Sequence, residues 1–98
     1  MIRVKEKMPL DALFKALGDE TRREILKMLA KKEMTAGEIA NVFNQSWPTI
    51  SYHLKILKEA GLINDEKKRL HTIFTLNTTV FSIVYSYILF RKVNSNKN

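Results

Sequence analysis

The chain of 98 residues contains no cysteine. Disulfide bonds, thiolate zinc sites and cysteine nucleophiles are therefore excluded, and nothing in the composition indicates an oxidising compartment. The sequence also lacks a glycine-rich phosphate loop and a nucleophile elbow, and its two histidines, His53 and His71, have no cysteine to join them at a metal. We therefore expect neither an enzyme nor a metal or cofactor site, and no small-molecule substrate.

Long apolar runs are missing as well. Residues 1–7 alternate apolar with charged side chains and lack the apolar stretch and cleavage site of a signal peptide. Only residues 80–90 are densely apolar, whereas a membrane-spanning helix needs about 20 predominantly apolar residues. We expect a cytoplasmic protein. A membrane-active amphiphile acting through residues 80–90 is a weaker alternative, because this segment is needed to close the core.

Positive charge is in excess, with 17 Lys and Arg against 10 Asp and Glu and a formal net charge of +7. This balance favours a polyanionic partner, either nucleic acid or an anionic membrane surface. The length suits a single domain over residues 1–98, with flexible ends at 1–7 and 94–98. Because so short a chain buries limited apolar surface, sharing a core with a second copy would help it.

Apolar spacing predicts two helices in the first third of the chain. The first has one apolar stripe, formed by Leu10, Leu13, Phe14 and Leu17. The second starts at one of two N-caps, Asp19 or Thr21, of which Thr21 has capping-box spacing with Glu24. For Arg22 and Arg23 in its first turn, phosphate contacts and internal ion pairs with acidic neighbours are comparable alternatives.

The next two predicted helices form a helix-turn-helix. Thr35 and Glu38 have capping-box spacing at the start of a short third helix. A polar turn at residues 44–45 leads to Ser46, a good N-cap for a fourth helix that Gly61 closes. The buried stripe of this fourth helix is formed by Ile50, Leu54 and Leu57. Two capped helices separated by three or four residues are typical of a helix-turn-helix.

After the fourth helix the apolar period becomes that of a strand. Residues 62–63 open a strand, Asp65 to Arg69 form a charged tip, and Leu70 to Leu76 alternate, which predicts a two-stranded hairpin. Asn77 can cap a last helix that is apolar on two faces, one for its own domain and one for a second subunit. We predict a mostly α fold with a small β-hairpin: a winged helix-turn-helix of four helices, two strands and a fifth helix, forming a homodimer.

Candidate contacts to double-stranded DNA lie on the fourth helix and the hairpin. The buried stripe turns polar and aromatic side chains outward, and the major groove, about 12 Å wide, admits one helix. Three cations in the four residues 66–69 suit phosphates or a minor groove. The predicted DNA-binding residues are Ser46, Trp47, Thr49, Ser51, Tyr52, His53, Lys55, Lys67, Lys68 and Arg69. A solvated helix face and a soluble basic turn are the alternatives.

Three strings together resemble the ArsR/SmtB family of bacterial repressors: FKALGDETRREIL at 14–26, MTAGEIA at 34–40 and TISYHLKILKEAGLI at 49–63. The resemblance covers residues 10–90, and residues 76–80 are similar to the SdpR-like autorepressor branch. It implies a winged-helix homodimer, joined through its first and last helices, that binds an inverted-repeat operator and blocks transcription. The predicted dimer interface is Leu10, Leu13, Phe14, Phe81, Val84, Tyr85, Ile88 and Leu89.

This sequence departs from the family pattern in two respects. Trp47 replaces the small polar residue usual at that place in the fourth helix. The metal sites of many relatives are missing, because Met34 to Phe43 offers only Glu38 as an ionic ligand and Thr78 to Val93 contains no Asp, Glu, His or Cys.

The resemblance to the SdpR-like branch implies a metal-free autorepressor, relieved when a membrane-bound anti-repressor protein sequesters it. We predict a sequence-specific DNA-binding transcriptional repressor that binds a palindromic operator as a dimer. The alternative is a winged-helix protein–protein interaction module, since the fold does not dictate the ligand.

Overall fold

The computed structural model describes residues 8–80, 82–83, 85–86 and 89. Its elements are α1 (Met8–Leu17), α2 (Glu20–Lys31), β1 (Met34–Thr35), α3 (Ala36–Val42), α4 (Trp47–Glu59), β2 (Ile63–Lys68) and β3 (His71–Leu76). The described residues from 78 to 89 are helical and belong to the predicted fifth helix. The ends expected to be flexible, 1–7 and 94–98, lie outside the described residues.

Side-chain caps set the starts of α2 and α3. The Asp19 carboxylate accepts a hydrogen bond from the Arg22 backbone N–H at 3.1 Å, so Asp19 and not Thr21 is the N-cap of α2. The predicted capping box of α3 is confirmed: Glu38 N–H donates to Thr35 Oγ1 at 3.1 Å, and Thr35 N–H donates to Glu38 Oε1 at 2.8 Å. The Thr35 N–H stabilises the carboxylate, which lowers the pKa of Glu38.

Gly61 ends α4 and turns the chain into β2. Its φ of 77° lies in the left-handed region that glycine adopts without a steric penalty. Gly61 N–H donates to the Lys58 carbonyl at 2.9 Å, and Leu62 N–H donates to the Leu57 carbonyl at 3.0 Å, which is the Schellman pattern. The predicted closure of the fourth helix at this glycine is confirmed.

The sheet has three antiparallel strands in the order β1-β3-β2, so the prediction of two strands is incomplete. The additional strand β1 is only two residues long, and it pairs Met34 with Phe74 and Thr35 with Ile73. Such a short strand shows no alternation that a sequence pattern could reveal. Its pairing places the start of α3 against the hairpin.

The hairpin turn lies further along the chain than predicted. The register of β2 with β3 runs from Ile63 opposite Leu76 to Lys68 opposite His71, which leaves residues 69–70 as a two-residue turn. Residues 65–68 of the charged tip predicted at 65–69 are therefore part of β2, and Leu70, predicted within a strand, lies in the turn.

The hydrophobic core lies between α2, α4 and the sheet. Its largest fully buried side chains are Ile25, Ile39, Ile50, Leu57, Leu62 and Ile63. The predicted buried stripe of α4 is confirmed, because Ile50, Leu54 and Leu57 are all within this core. Val42, the last residue of α3, is 58% exposed.

Asn77 begins the last helical segment, as predicted: its Oδ1 accepts a hydrogen bond from Val80 N–H at 3.4 Å. Val80 is partly buried and packs against the core, whereas Ile83 is exposed. None of the helices in the described part of the chain is long and apolar enough to cross a membrane.

Candidate nucleic-acid interface

Helix α4 has one buried side and one exposed side. The exposed predicted contacts on or next to it are Ser46, Trp47, Thr49, Ser51, Tyr52 and Lys55. Trp47 and Tyr52 are each 50% exposed, so both present aromatic surface as well as a hydrogen-bonding group to a partner. The arrangement offers donors, acceptors and flat apolar faces along one side of a single helix.

The amino end of α4 holds a pair of hydroxyl groups. Ser46 Oγ accepts a hydrogen bond from the Thr49 backbone N–H at 3.4 Å and lies 3.0 Å from Thr49 Oγ1. One hydroxyl proton is used between the two side chains, and the other remains available to an outside acceptor because each hydroxyl has its own proton. This pair combines a helix cap with a donor at the positive end of the helix dipole.

His53 is buried, which corrects its prediction as a DNA contact. His53 is only 8% exposed, and its Nδ1 lies 3.1 Å from Nη1 of Arg22. Because a guanidinium can only donate, Nδ1 must accept this hydrogen bond, so the ring proton is on Nε2. The side chain of His53 thus lies on the core side of α4, one residue away from the exposed Tyr52.

Arg22 is also buried and joins three parts of the helical domain. Its Nε donates to the Ala16 carbonyl and its Nη2 to the Lys15 carbonyl, each at 2.9 Å, in addition to the contact with His53 on α4. Of the two alternatives for Arg22, the internal role is the one observed, although its acceptors are carbonyls at the end of α1 instead of an acidic side chain. We call Asp19, Arg22 and His53 the buried polar cluster.

Asp19 lies at the edge of this cluster, with its Oδ2 3.8 Å from His53 Nδ1. Partial burial raises the pKa of its carboxyl. The hydrogen bond from Arg22 N–H and the positive charge of the Arg22 guanidinium outweigh that effect, so the pKa of Asp19 is below its ordinary value. No buried side-chain nitrogen or oxygen among the described residues lacks a hydrogen-bond partner.

The hairpin runs alongside α4. Lys58 near the end of α4 donates to the Asp65 carboxylate at 3.0 Å, and this contact links the helix to β2. A groove of about 340 Å³ separates the two elements, lined by Trp47, Ser51, Leu54, Lys55 and Lys58 of α4, by Ala36, and by Asp65, Thr72 and Phe74 of the sheet. The hairpin and the exposed side of α4 therefore form one continuous surface.

The cations of the hairpin are all exposed: Lys67, Lys68 and Arg69. Lys68 makes a loose ion pair with Glu66 at 3.8 Å. Arg69 has a φ of 55°, a left-handed conformation that is uncommon for a residue with a side chain and that allows the two-residue turn.

Sequence reasoning missed two contributors to this surface. Gln45 in the turn before α4 donates from Nε2 to Thr21 Oγ1 at 2.9 Å and so ties the turn to α2. Lys58 was not singled out because its link to Asp65 depends on how the hairpin folds back. No short-range spacing connects residues that meet only through tertiary folding.

A second set of exposed residues, which we call the apolar surface, is carried by α1 and the last helical segment. Leu10 and Phe14 on α1 are 51% and 53% exposed, and Tyr85 and Leu89 of the last helical segment are 62% and 48% exposed. Leu13, also predicted at the dimer interface, is partly buried against the core. The other predicted interface residues, Phe81, Val84 and Ile88, lie outside the described residues.

Among the described residues, no group of three or more His, Asp or Glu side chains is placed to hold a metal ion.

Arg23, the other arginine of α2, donates from Nη1 to the Leu17 carbonyl at 2.8 Å and is exposed.

Comparison with known proteins places the chain among bacterial regulators. The family model described as bacterial regulatory protein, arsR family, matches residues 19–65. The transcriptional repressor SdpR of Bacillus subtilis is 46% identical over 80 residues, a match that covers 82% of this chain and 89% of SdpR.

Solved structures agree in fold. A crystal structure of an ArsR family transcriptional regulator has a TM-score of 0.81 at 24% identity, covering 92% of this chain and 99% of that one. The solution structure of a homodimeric winged helix-turn-helix DNA-binding domain from Mycobacterium bovis has a TM-score of 0.73 at 20% identity, covering 100% of this chain and 90% of that one. At these identities the likeness shows the winged helix-turn-helix fold.

Proposed function

Because the chain belongs to the arsR family of bacterial regulatory proteins, we propose that it represses transcription by placing α4 of each of two copies in the major groove of a palindromic operator. The observation that carries this proposal is the division of α4. The apolar side of α4 packs in the core. Its other side exposes Trp47, Thr49, Tyr52 and Lys55 to solvent.

The shape and charge of α4 suit the major groove. One helix fills a groove about 12 Å wide, and the capped amino end brings partial positive charge toward a phosphate. Thr49 and Tyr52 supply the polar groups that read base edges, and Lys67, Lys68 and Arg69 on the hairpin contact phosphates. His53 takes no part in reading bases, because the buried polar cluster holds its side chain inside.

Dimerisation occurs through the apolar surface. Leu10, Phe14, Tyr85 and Leu89 are exposed in a single copy, and a second copy would cover them. The M. bovis domain of the same fold is homodimeric, which supports dimerisation of this chain. In a dimer, the two α4 helices enter successive major grooves about 34 Å apart, so the half-sites are about one helical turn apart.

The finer regulatory proposals rest on resemblance to the SdpR-like branch. The match to a protein named as a transcriptional repressor supports repression, and we propose that the target is this protein's own operon. We further propose that a membrane-bound anti-repressor protein relieves repression by sequestering it, and that the protein acts in the cytoplasm, where the operon lies.

Selection of bound fragments from random duplex DNA by the purified protein tests the proposal. We expect one enriched palindrome with half-sites about one helical turn apart. Failure to enrich any sequence, together with micromolar or weaker binding to the promoter of its own operon at physiological salt, would favour the protein–protein interaction module instead.

Two conservative variants test the reading residues on the selected operator. Tyr52→Phe and Thr49→Ala should each reduce discrimination between the operator and a scrambled duplex by about 1 to 3 kcal/mol, because each removes one polar contact to a base. Thr78→Ala is the matched control, at an exposed position outside α4 and outside the proposed dimer interface, and it should leave discrimination unchanged. If affinity for operator and scrambled DNA fell equally, both residues would be phosphate contacts only.

A further inference from the structure

Leu70 lies at the tip of the hairpin with 92% of its surface exposed, the largest value among the exposed large hydrophobic residues of the described chain. A single exposed leucine is ordinary on a protein surface, so its location is what matters. Two-residue hairpin turns favour Gly, Asn and Asp, and Leu70 does not pack against the core formed by the described residues. Neither the turn nor the core therefore accounts for a leucine here.

The tip that carries Leu70 is otherwise cationic. Leu70 directly follows Lys67, Lys68 and Arg69, and it is the one apolar residue between Ile63 and Thr72. The positive φ of Arg69 makes the sharp turn that places residue 70 at the end of the hairpin. The result is a narrow projection with one apolar side chain at its end and cations along its sides.

This projection lies on the same surface as the exposed side of α4. Thr72, two residues from Leu70, lines the groove that Trp47 and Ser51 of α4 also line. The link between Lys58 and Asp65, which also line that groove, holds the middle of the hairpin against α4. A duplex seated against α4 therefore meets the hairpin tip beside the site that the helix occupies.

We propose that Leu70 enters the minor groove flanking the α4 site and contacts the floor of that groove, with the adjacent cations on the phosphates of its two walls. This inference rests on the proposed DNA-binding function and adds a specificity determinant to it. Apolar side chains are known wedges in minor grooves, and the 2-amino group of guanine projects from the floor. Leu70 thus selects against G·C pairs at the flank.

An anionic membrane surface is the other partner that suits cations beside a leucine. The structure favours DNA, because membrane association requires a broad apolar face and the tip offers one side chain. A minor groove, about 6 Å wide, is too narrow for the two-stranded hairpin but admits a single side chain such as that of Leu70.

The test uses three versions of the selected operator that differ only in the flanking pairs facing the hairpin: A·T, inosine·C and G·C. Inosine keeps the major-groove edge of guanine but lacks its minor-groove amino group. We expect the wild type to bind the A·T and inosine·C duplexes equally and about tenfold more tightly than the G·C duplex. Leu70→Ala should abolish this difference and bind the A·T duplex about tenfold more weakly.

Lys67→Ala is the matched control, because it removes a cation from the same hairpin. It should weaken binding to all three duplexes by the same factor. Since Leu70 makes no core contact, Leu70→Ala should unfold at the wild-type temperature, so any change in DNA binding comes from the tip itself.

Leu70→Ala that keeps wild-type affinity and flank preference would overturn the inference, as would an equal reduction of affinity on all three duplexes. Loss of co-sedimentation with phosphatidylserine vesicles in Leu70→Ala, with DNA binding unchanged, would overturn it in favour of a membrane contact. A wild-type protein that distinguishes no duplex sequence from another would overturn the proposed function, and this inference with it.

Discussion

Two exposed surfaces of this molecule differ in chemistry. The proposed DNA-facing surface, made of the exposed side of α4 and residues 67–69 of the hairpin, combines hydroxyls, aromatic rings and cations. The apolar surface, made of Leu10, Phe14, Tyr85 and Leu89, has no charged member. Water tolerates the first surface, whereas it disfavours the second, so their partners must differ. A polyanion suits the DNA-facing surface, and the apolar surface of another copy suits the apolar surface.

The two surfaces are joined inside the molecule by the buried polar cluster. Arg22 holds the carbonyls at the end of α1, which carries part of the apolar surface, and contacts His53 on α4, which carries the DNA-facing surface. Arg22 therefore adds polar contacts to the apolar packing that sets the relative position of α1 and α4. Removing the Arg22 contacts, and then altering each surface in turn, separates the contributions of the cluster and of the two surfaces to stability and binding.

The largest effect is expected from Arg22→Ala. The variant removes the buried donor of the Ala16 carbonyl and of His53 Nδ1, whereas the Lys15 carbonyl keeps its hydrogen bond from Gly18 N–H. The loss should lower the free energy of unfolding by about 3 kcal/mol, measured by urea denaturation. Arg23→Ala is the matched control, because Arg23 is exposed and makes one hydrogen bond, and it should cost less than about 1 kcal/mol. Equal destabilisation of the two variants would show that the cluster has no special role.

The next effect concerns the apolar surface. Phe14→Asp should weaken self-association at least about a hundredfold, because a carboxylate would be buried without a partner in the dimer, as measured by sedimentation equilibrium. Phe14→Leu keeps an apolar side chain at the same position and should remain dimeric. A Phe14→Asp protein that sediments as the wild type would place the interface elsewhere.

Within the DNA-facing surface, the hairpin cations should strengthen binding to any DNA sequence equally. The test changes Lys67, Lys68 and Arg69 together to alanine. The slope of the logarithm of the binding constant against the logarithm of the salt concentration should become less steep by about 0.9 for each phosphate that is no longer neutralised, or about 2.7 in all. Changing Lys27, Lys31 and Lys32 on and beside α2 to alanine removes the same charge from another part of the molecule and should reduce the slope less. An unchanged slope in the hairpin variant would contradict a phosphate-binding role.

The smallest effect is expected at Asp19. Because its pKa is lowered in the folded protein, the stability that its charge provides is present above about pH 4 and disappears as the pH falls through the lowered pKa. Asp19→Asn keeps the helix cap but cannot ionise, so its stability deficit should shrink between pH 6 and pH 2 in thermal unfolding measurements. Asp19→Ala, which also removes the cap, should retain a deficit of about 1 kcal/mol at low pH. A pH-independent deficit in Asp19→Asn would contradict a contribution from the charge.

The helical part of the fold could be predicted well because its signals are local. The Thr35 and Glu38 capping box, the Ser46 cap and the Gly61 closure each depend on residues within one turn of one another. The hairpin was located but its turn was misplaced, because the charged residues 65–68 look like a loop although their backbone pairs with β3. Charge on an edge strand is compatible with pairing, so polarity alone did not mark the turn.

The sequence by itself determined the type and order of the helices, the presence of a hairpin and the exposed side of α4, because helical period and capping act over a few residues. Tertiary structure alone decided that Arg22 and His53 face inward, that β1 joins the sheet and that Leu70 stands at the hairpin tip. These features depend on contacts between residues far apart in the chain, such as Arg22 with His53 and Met34 with Phe74. Local spacing carries no information about such pairs, because they form only once the core has brought their elements together.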